Sequence, residues 1–287
     1  MTPRIEFLIP AFNPGEFLEP CLASLIAQTE SDWRAIVVDD GSTEWPVAAA
    51  PSDPRITLVR TENGGVSAAR NRAFAESTAG LVCFLDADDL IAPTFIESLL
   101  NPLCDPELAG AYCDGQLLWM FDSPESHQTA MVYGPSDDLF DTLATRPMNL
   151  GAMVIRREVV GRALPFSIEM SSASEDWDFL LRAAWQTRWN YVNEPLYTYR
   201  LTAGSWSRNY EKLYAKSAQM IERYAAASDG PRFSPEQAAR ARHHLRNWAA
   251  REMRNQAKSN GSWGKALRTI AQHPELAFWF ALRLVRR

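Results

Sequence analysis

Cysteine is scarce in this chain. Its four residues, Cys21, Cys83, Cys104 and Cys113, are scattered without any CxxC spacing, which argues against a disulfide framework or a zinc site. Cys21 and Cys83 sit within apolar-patterned segments and are expected to be reduced, packed thiols. No apolar run approaches the roughly 18 residues a membrane-spanning helix requires, so nothing here is expected to be transmembrane. The opening MTPRIEFLIPAFN has neither a basic start nor a long apolar stretch; no signal peptide and a cytoplasmic location are therefore expected. Internal repeats and low-complexity tracts are lacking too. With a net charge of −6, no nucleic-acid partner is expected.

What is present can build a sizeable core. The chain has 287 residues, 46% of them hydrophobic, with 10 Trp and 13 Phe; that suffices for one large core, or one core and a smaller domain. The charge is uneven. From Arg232 to Arg287 there are twelve Lys and Arg against three acids, leaving 17 basic and 32 acidic residues in the rest. Two regions with different partners follow from that asymmetry.

Strand and helix signals alternate up to about residue 200. IEFLIPAF (5–12), RAIVVDDGS (34–42), ITLVRTENGG (56–65) and LVCFLDADD (81–89) read as strands running into polar ends. FLEPCLASLIAQ (17–28) and VSAARNRAFAES (66–77) read as helices. This order predicts an α/β layer with a mainly parallel sheet, in which ligands bind beyond the carboxyl ends of the strands. Asn13, Asp39, Asp40, Asn63, Asp86 and Asp88 all fall there. Residues 102–148 show no clear period, 149–160 read as a strand entering a helix, and 189–200 return to strand. In SSASEDWDFLLRAAWQ (171–186) a serine-rich loop opens a helix, with Ser174 as its N-cap and acids in the first turn. After about residue 208 the pattern is helical, with a break at SDGPRFSP (228–235).

The segment FLDADD places Asp86, Asp88 and Asp89 together at the end of an apolar run. Carboxylates this close raise one another's pKa unless a cation or hydrogen-bond donors offset them, so a positive group belongs there. On an ideal strand Asp86 and Asp88 would share a face. Asp89 reads instead as part of a solvated turn capping the next helix.

IPAFN, VVDDGST, ENGGVSAARNRA, FLDADD and EDWDF, in this order and spacing, resemble the family 2 glycosyltransferases of GT-A fold over about residues 4–207. The resemblance implies a GT-A (nucleotide-diphospho-sugar transferase) fold for residues 1–208, with 209–287 as a helical C-terminal extension. It implies inverting transfer of a sugar, usually UDP-linked, to a hydroxyl of a glycan or lipid-linked glycan acceptor in surface-polysaccharide or envelope synthesis. A non-catalytic nucleotide-sugar binder is the alternative. By the same resemblance Asp88 is the direct ligand of a divalent cation, Mn²⁺ or Mg²⁺, and Asp86 lies near the ribose. Such hard cations suit carboxylate and phosphate oxygens.

The remaining donor-side expectations are residue by residue. Asp39 resembles the contact to the uracil imide; Pro10, Ala11 and Phe12 wall that pocket, and Asp40 fixes the turn. Asn63 lies at the NGG stretch, whose glycines and helix N-terminus suit anions, and Arg70 faces the nucleotide and diphosphate. Arg72 reads as a surface or salt-bridging residue. Asp176 matches the family's base, which removes the acceptor proton, with Glu175 and Trp177 on the acceptor side. Asp178 reads as a helix-capping acid, and Trp185 and Trp189 as core. One departure stands out: the pattern YRLTAGSWS (199–207) carries Thr202 where many members have a histidine, so Arg200 or Arg208 is a substitute for neutralising phosphate.

The terminal HPELAFWFALRLVRR (273–287) combines apolar and aromatic residues with Arg283, Arg286 and Arg287. That composition suits peripheral contact with an anionic membrane at its inner face. Packing against the catalytic domain accounts for it equally well.

Overall fold

A computed structural model of the chain describes residues 3–44, 53–120, 127–170, 173–201 and 209–285. It divides into two compact units: Met1–Phe140 with Met148–Ala203, and Asp141–Pro147 with Gly204–Arg287. The first unit is built on a nine-stranded sheet.

Strands β1 (Ile5–Ala11) and β2 (Trp33–Asp40) flank helix α1 (Leu18–Ile26); β3 (Ile56–Thr61), α2 (Val66–Glu76) and β4 (Leu81–Phe84) follow. β1 and β4 are buried along their whole length, because helices cover both faces of a parallel sheet and leave no solvent side to alternate with. The one acid inside β1, Glu6, is buried and accepts the amides of Thr78 (2.6 Å) and Ala79 (2.9 Å), so its charge is met by the turn before β4.

After β4 come β5 (Leu90–Ile91), α3 (Phe95–Leu100), β6 (Leu108–Trp119), β7 (His127–Met131), α4 (Leu139–Thr145), β8 (Met153–Arg156), α5 (Arg157–Ala163), α6 (Glu175–Ala184) and β9 (Arg188–Leu201). The sheet order is β3-β2-β1-β4-β8-β6-β9-β5, with β7 on β6. Parallel pairing runs from β3 to β4 and recurs at β6–β9. β8 is antiparallel to both β4 and β6, as are β5 to β9 and β7 to β6. The sheet is thus mixed: its first half is the parallel layer the sequence predicts, and its second half is not.

The stretch 102–148, which shows no period in sequence, contains the twelve-residue β6. Its first eight residues are buried on both sides, so no alternation is written into them. Gly110 also breaks the pattern: a Cβ there would lie 2.4 Å from the Trp189 ring. That close approach lets Trp189 pack across β6, while Trp185 meets Phe140 edge-on at 4.8 Å. Both indoles are half-buried packing elements.

The second unit contains α7 (Tyr210–Ala226), α8 (Pro235–Asn260), α9 (Trp263–Gln272) and α10 (Ala277–Val285). α8 begins at a capping box, in which Ser234 Oγ accepts the Gln237 amide and the Gln237 side chain accepts the Ser234 amide, satisfying two of the donors a helix start leaves open. It ends at left-handed Gly261. No described helix is long and apolar enough to cross a membrane.

Candidate active site

The carboxyl ends of β1, β2 and β4 and the start of α6 bring the predicted acids together. At the end of β2, Asp39 is buried; its Oδ1 accepts the Ser42 amide at 2.8 Å and its Oδ2 lies 3.4 Å from Arg60 Nη1. Arg60, on β3, also donates to the Ser42 carbonyl (2.8 Å). Sequence reading misses this arginine because an edge-strand cation carries no motif. Pro10, at the end of β1, is buried, Ala11 is buried beside it, and Phe12 is 52% exposed. Asn13 caps the same corner: its amide donates to Ser42 Oγ (2.8 Å) and its Oδ1 accepts from the Thr43 and Glu44 amides.

Asp40 acts across strands. Its two oxygens accept the amides of Gly64 and Gly65, each at 2.8 Å, and Asn63 Nδ2 donates to the Asp40 carbonyl at 3.0 Å. The glycine amides expected to meet an anion of the donor are therefore held by a carboxylate of the chain, and Asn63 itself remains exposed. Gly41 permits this closeness, since a Cβ on its positive φ (72°) would lie 2.7 Å from the Asn63 nitrogen.

The FLDADD segment leaves its strand early. β4 ends at Phe84, and Asp86 to Asp88 form a turn closed by the Asp89 amide on the Asp86 carbonyl at 3.0 Å. The shared strand face expected for Asp86 and Asp88 is replaced by turn geometry. Burial, then the Asp86 charge, pushes the Asp88 carboxyl up to about 6.

Asp89 is no solvated cap. It is fully buried, accepts the Tyr197 hydroxyl and, at 3.0 Å, the Arg200 amide, and burial with its acidic neighbours holds its carboxyl well above the usual range. Arg200, expected as a free phosphate-neutralising group, is itself buried. Its Nε donates to the Asp88 carbonyl and its Nη2 to the Phe17 carbonyl at 2.7 Å. It braces the acidic turn against the loop before α1. Thr202, Ser205, Ser207 and Arg208 lie outside the described residues.

Arg70, expected to face the donor, points into the protein. It is 4% exposed, with Nη2 2.7 Å from Asp86 Oδ1 and Nη1 2.9 Å from Glu175 Oε1, and its guanidinium lies 5.5 Å from the Phe166 ring. Nε has no partner among the described residues. Burial lowers the guanidinium's proton affinity, but Asp86, Glu175 and Asp176 more than restore it, leaving its pKa above the ordinary value. Arg72 pairs at the surface with Glu76 (2.6 Å), as its sequence position predicts.

At the head of α6, Glu175 has both oxygens engaged, the second by the Ala173 amide at 2.9 Å. It supports Arg70, and both it and Trp177, the two residues expected on the acceptor side, are buried. Ser174 occupies the N-cap position in a left-handed conformation (φ 73°) without a capping side-chain bond. Asp178 pairs with Arg182 at 2.9 Å along the helix. Asp176 is the half-buried acid of this turn. Burial, then Glu175, pushes its carboxyl up to about 7, against the pull of Arg70.

Among the described residues no three His, Cys, Asp or Glu side chains are grouped to hold a metal. Asp86 and Asp88 nevertheless form a pair of hard oxygen donors, and a cation that arrives with a phosphate needs no more than one or two protein carboxylates. The donor chemistry of the turn therefore fits a divalent cation.

Comparison with known proteins bears on the family and the fold. The model of Glycosyl transferase family 2 matches residues 6–160. The glycosyltransferase YibD of Escherichia coli (strain K12) is 30% identical over 253 residues, 77% of this chain and 71% of that protein. Among solved structures, the mannosyltransferase PcManGT of Pyrobaculum calidifontis, in complex with GDP-Man and Mn²⁺, superposes with a TM-score of 0.63 at 18% identity, covering 99% of this chain and 85% of its own. TarS 1-349 of S. aureus in complex with UDP-GlcNAc gives 0.60 at 15% identity, covering 97% and 78%. At such identities the structural likeness establishes the fold, which is that of the GT-A transferases.

Proposed function

The chain belongs to glycosyl transferase family 2, and on that premise we propose that it transfers a hexosyl group from a UDP-linked donor to a hydroxyl of a glycan or lipid-linked glycan, inverting the anomeric carbon. The observation that carries this reading is the position of Asp176. It is the one acid of the α6 first turn left half-buried, and its carboxyl is poised at about 7 beside the Arg70 clamp on the acidic turn.

In the reaction Asp176 takes the acceptor hydroxyl proton as the new bond forms from that oxygen to the anomeric carbon. The bond from the anomeric carbon to the diphosphate breaks, and its electron pair leaves with UDP. A pKa near neutrality suits a general base. Asp39, with Pro10, Ala11 and Phe12 beside it, receives the uracil imide N–H, while Asn63 borders the same donor pocket. Asp86 lies near the ribose, and Asp88 would hold the divalent cation. When bound, that cation neutralises charge growing on the diphosphate. The Mn²⁺ and GDP-Man of PcManGT and the UDP-GlcNAc of TarS support a cation and a nucleotide-sugar donor by analogy of fold.

Arg70 and Glu175 hold this geometry from beneath without touching substrate. Surface-polysaccharide or envelope glycan synthesis is the setting that the family resemblance favours. The discriminating experiment screens UDP-, GDP- and dTDP-sugars, with and without Mn²⁺, for nucleotide release. Release from a UDP-sugar that vanishes in Asp176→Asn supports the enzyme; tight binding of a UDP-sugar without turnover in any condition supports a non-catalytic binder.

A further inference from the structure

Helix α10 carries apolar side chains on both its inward and its outward side. Its inward side carries buried Leu276, just ahead of the helix, and Phe280, together with Arg283, whose Nη2 donates to Asn247 of α8 at 2.6 Å. Trp279 meets His243 of α8 edge-on at 4.7 Å. Its outward side carries Ala277, Phe278, Ala281, Leu282 and Leu284, all exposed. At 100° per residue these five span an arc of about 160° without a single polar side chain. Phe278 is 65% exposed.

The neighbouring α9 carries exposed apolar side chains of its own. Trp263 and Leu267, one turn apart, are both exposed, and the Trp263 ring also touches Phe280 edge-on at 6.4 Å. Scattered exposed apolar residues are ordinary, whereas a continuous apolar helix face marks an interaction surface. The segment's charge is mostly positive, although Lys265 lies 3.7 Å from Glu211 and Arg283 turns inward. Residues 261–287 hold Lys265, Arg268, Arg283, Arg286 and Arg287 against Glu275 alone, in a chain whose net charge is −6. Arg268 is exposed next to Leu267, and Lys258 is exposed at the end of α8.

We propose that the exposed apolar side chains of α10, Phe278, Leu282 and Leu284, together with Trp263 and Leu267 of α9, dock this protein on an anionic lipid bilayer. Aromatic and aliphatic side chains enter the headgroup boundary, and the flanking cations meet anionic lipid; apolar burial and electrostatic attraction add in this mode. A second copy of the chain would cover the apolar residues equally well but would oppose like charges across the contact. Anionic lipid satisfies both features.

The test uses the full chain and vesicles of phosphatidylglycerol and phosphatidylcholine in equal parts, with pure phosphatidylcholine as the reference. Flotation should occur with the anionic vesicles, and raising salt from low to molar concentration should weaken it. Leu267→Glu/Phe278→Glu/Leu282→Glu should lower binding by roughly tenfold or more, since burial of each such side chain is worth on the order of one such factor. All three positions are exposed, so circular dichroism and the melting temperature should match wild type. Equal flotation of wild type and variant, no flotation of wild type, or a concentration-dependent dimer by light scattering that the substitutions dissolve would overturn the proposal. Nucleotide-sugar turnover in solution does not depend on this surface, so failure here leaves the proposed reaction standing.

Discussion

Arg70 Nη1 lies 2.9 Å from Glu175 Oε1, joining α2 to the first turn of α6 across 105 positions of sequence. Through Nη2 the same guanidinium holds Asp86, so the acidic turn after β4 and Glu175, the neighbour of the acid proposed as base, share one buried cation.

Removing that cation strands a buried carboxylate. Arg70→Met should destabilise the fold by about 3–5 kcal/mol, read from urea denaturation, nearly all of it from Glu175 because Asp86 is partly solvated. Arg70→Lys, a point charge without the planar fork, should fall between. A Met variant as stable as wild type would show that the clamp contributes nothing to folding.

Asp176→Asn should lower transfer by about 10²- to 10⁴-fold, with donor affinity within a few-fold of wild type. The pH profile separates chemistry from structure. A carboxyl raised from its ordinary 3.8 to about 7 favours the folded state most at low pH and loses that advantage as pH rises through about 7. Rate runs the other way, since the base works only when ionised. Wild-type transfer should therefore climb through about pH 7, a limb the Asn variant lacks, while the variant melts at or slightly above wild type in alkaline buffer. Full activity in Asp176→Asn would remove the base from this position.

Asp88→Asn addresses the cation. Activation by Mn²⁺ or Mg²⁺ should be greatly weakened with little change in melting temperature, because the side chain sits in a half-buried turn outside the core. Wild-type transfer that proceeds unchanged in excess chelator would refute the metal role.

Asp89 should behave differently from its neighbour. Asp89→Ala leaves the Tyr197 hydroxyl and the Arg200 amide without their acceptor, at a cost of about 1–3 kcal/mol for each stranded buried group. Because Arg200 also holds the Asp88 carbonyl, cation activation and thermal stability should decline together. Loss of activation without loss of stability would place Asp89 among the substrate-contacting acids.

The sequence by itself determined the parallel half of the fold and the identity of its acids. IEFLIPAF, RAIVVDDGS, ITLVRTENGG and LVCFLDADD are apolar runs with polar ends, a pattern local enough to be read residue by residue, and β1 to β4 form on them, with β3 and β4 ending early at Thr61 and Phe84. The second half escaped such reading because the first eight residues of β6 are buried on both faces and Gly110 interrupts them for the sake of Trp189, a partner 79 positions away. Site roles divide in the same way. That acids gather beyond the strand ends follows from the chain alone. That Arg70 and Arg200 turn inward, that Glu175 and Asp89 become supports, and that Asp176 stays half-open are outcomes of long-range pairing. A buried charge is stable only where the fold brings its counter-charge, and no local spacing encodes which acid will receive it. The tail divides likewise: its composition announces an apolar, basic helix, but only packing on α8 decides that Leu276 and Phe280 turn inward and Phe278, Leu282 and Leu284 outward.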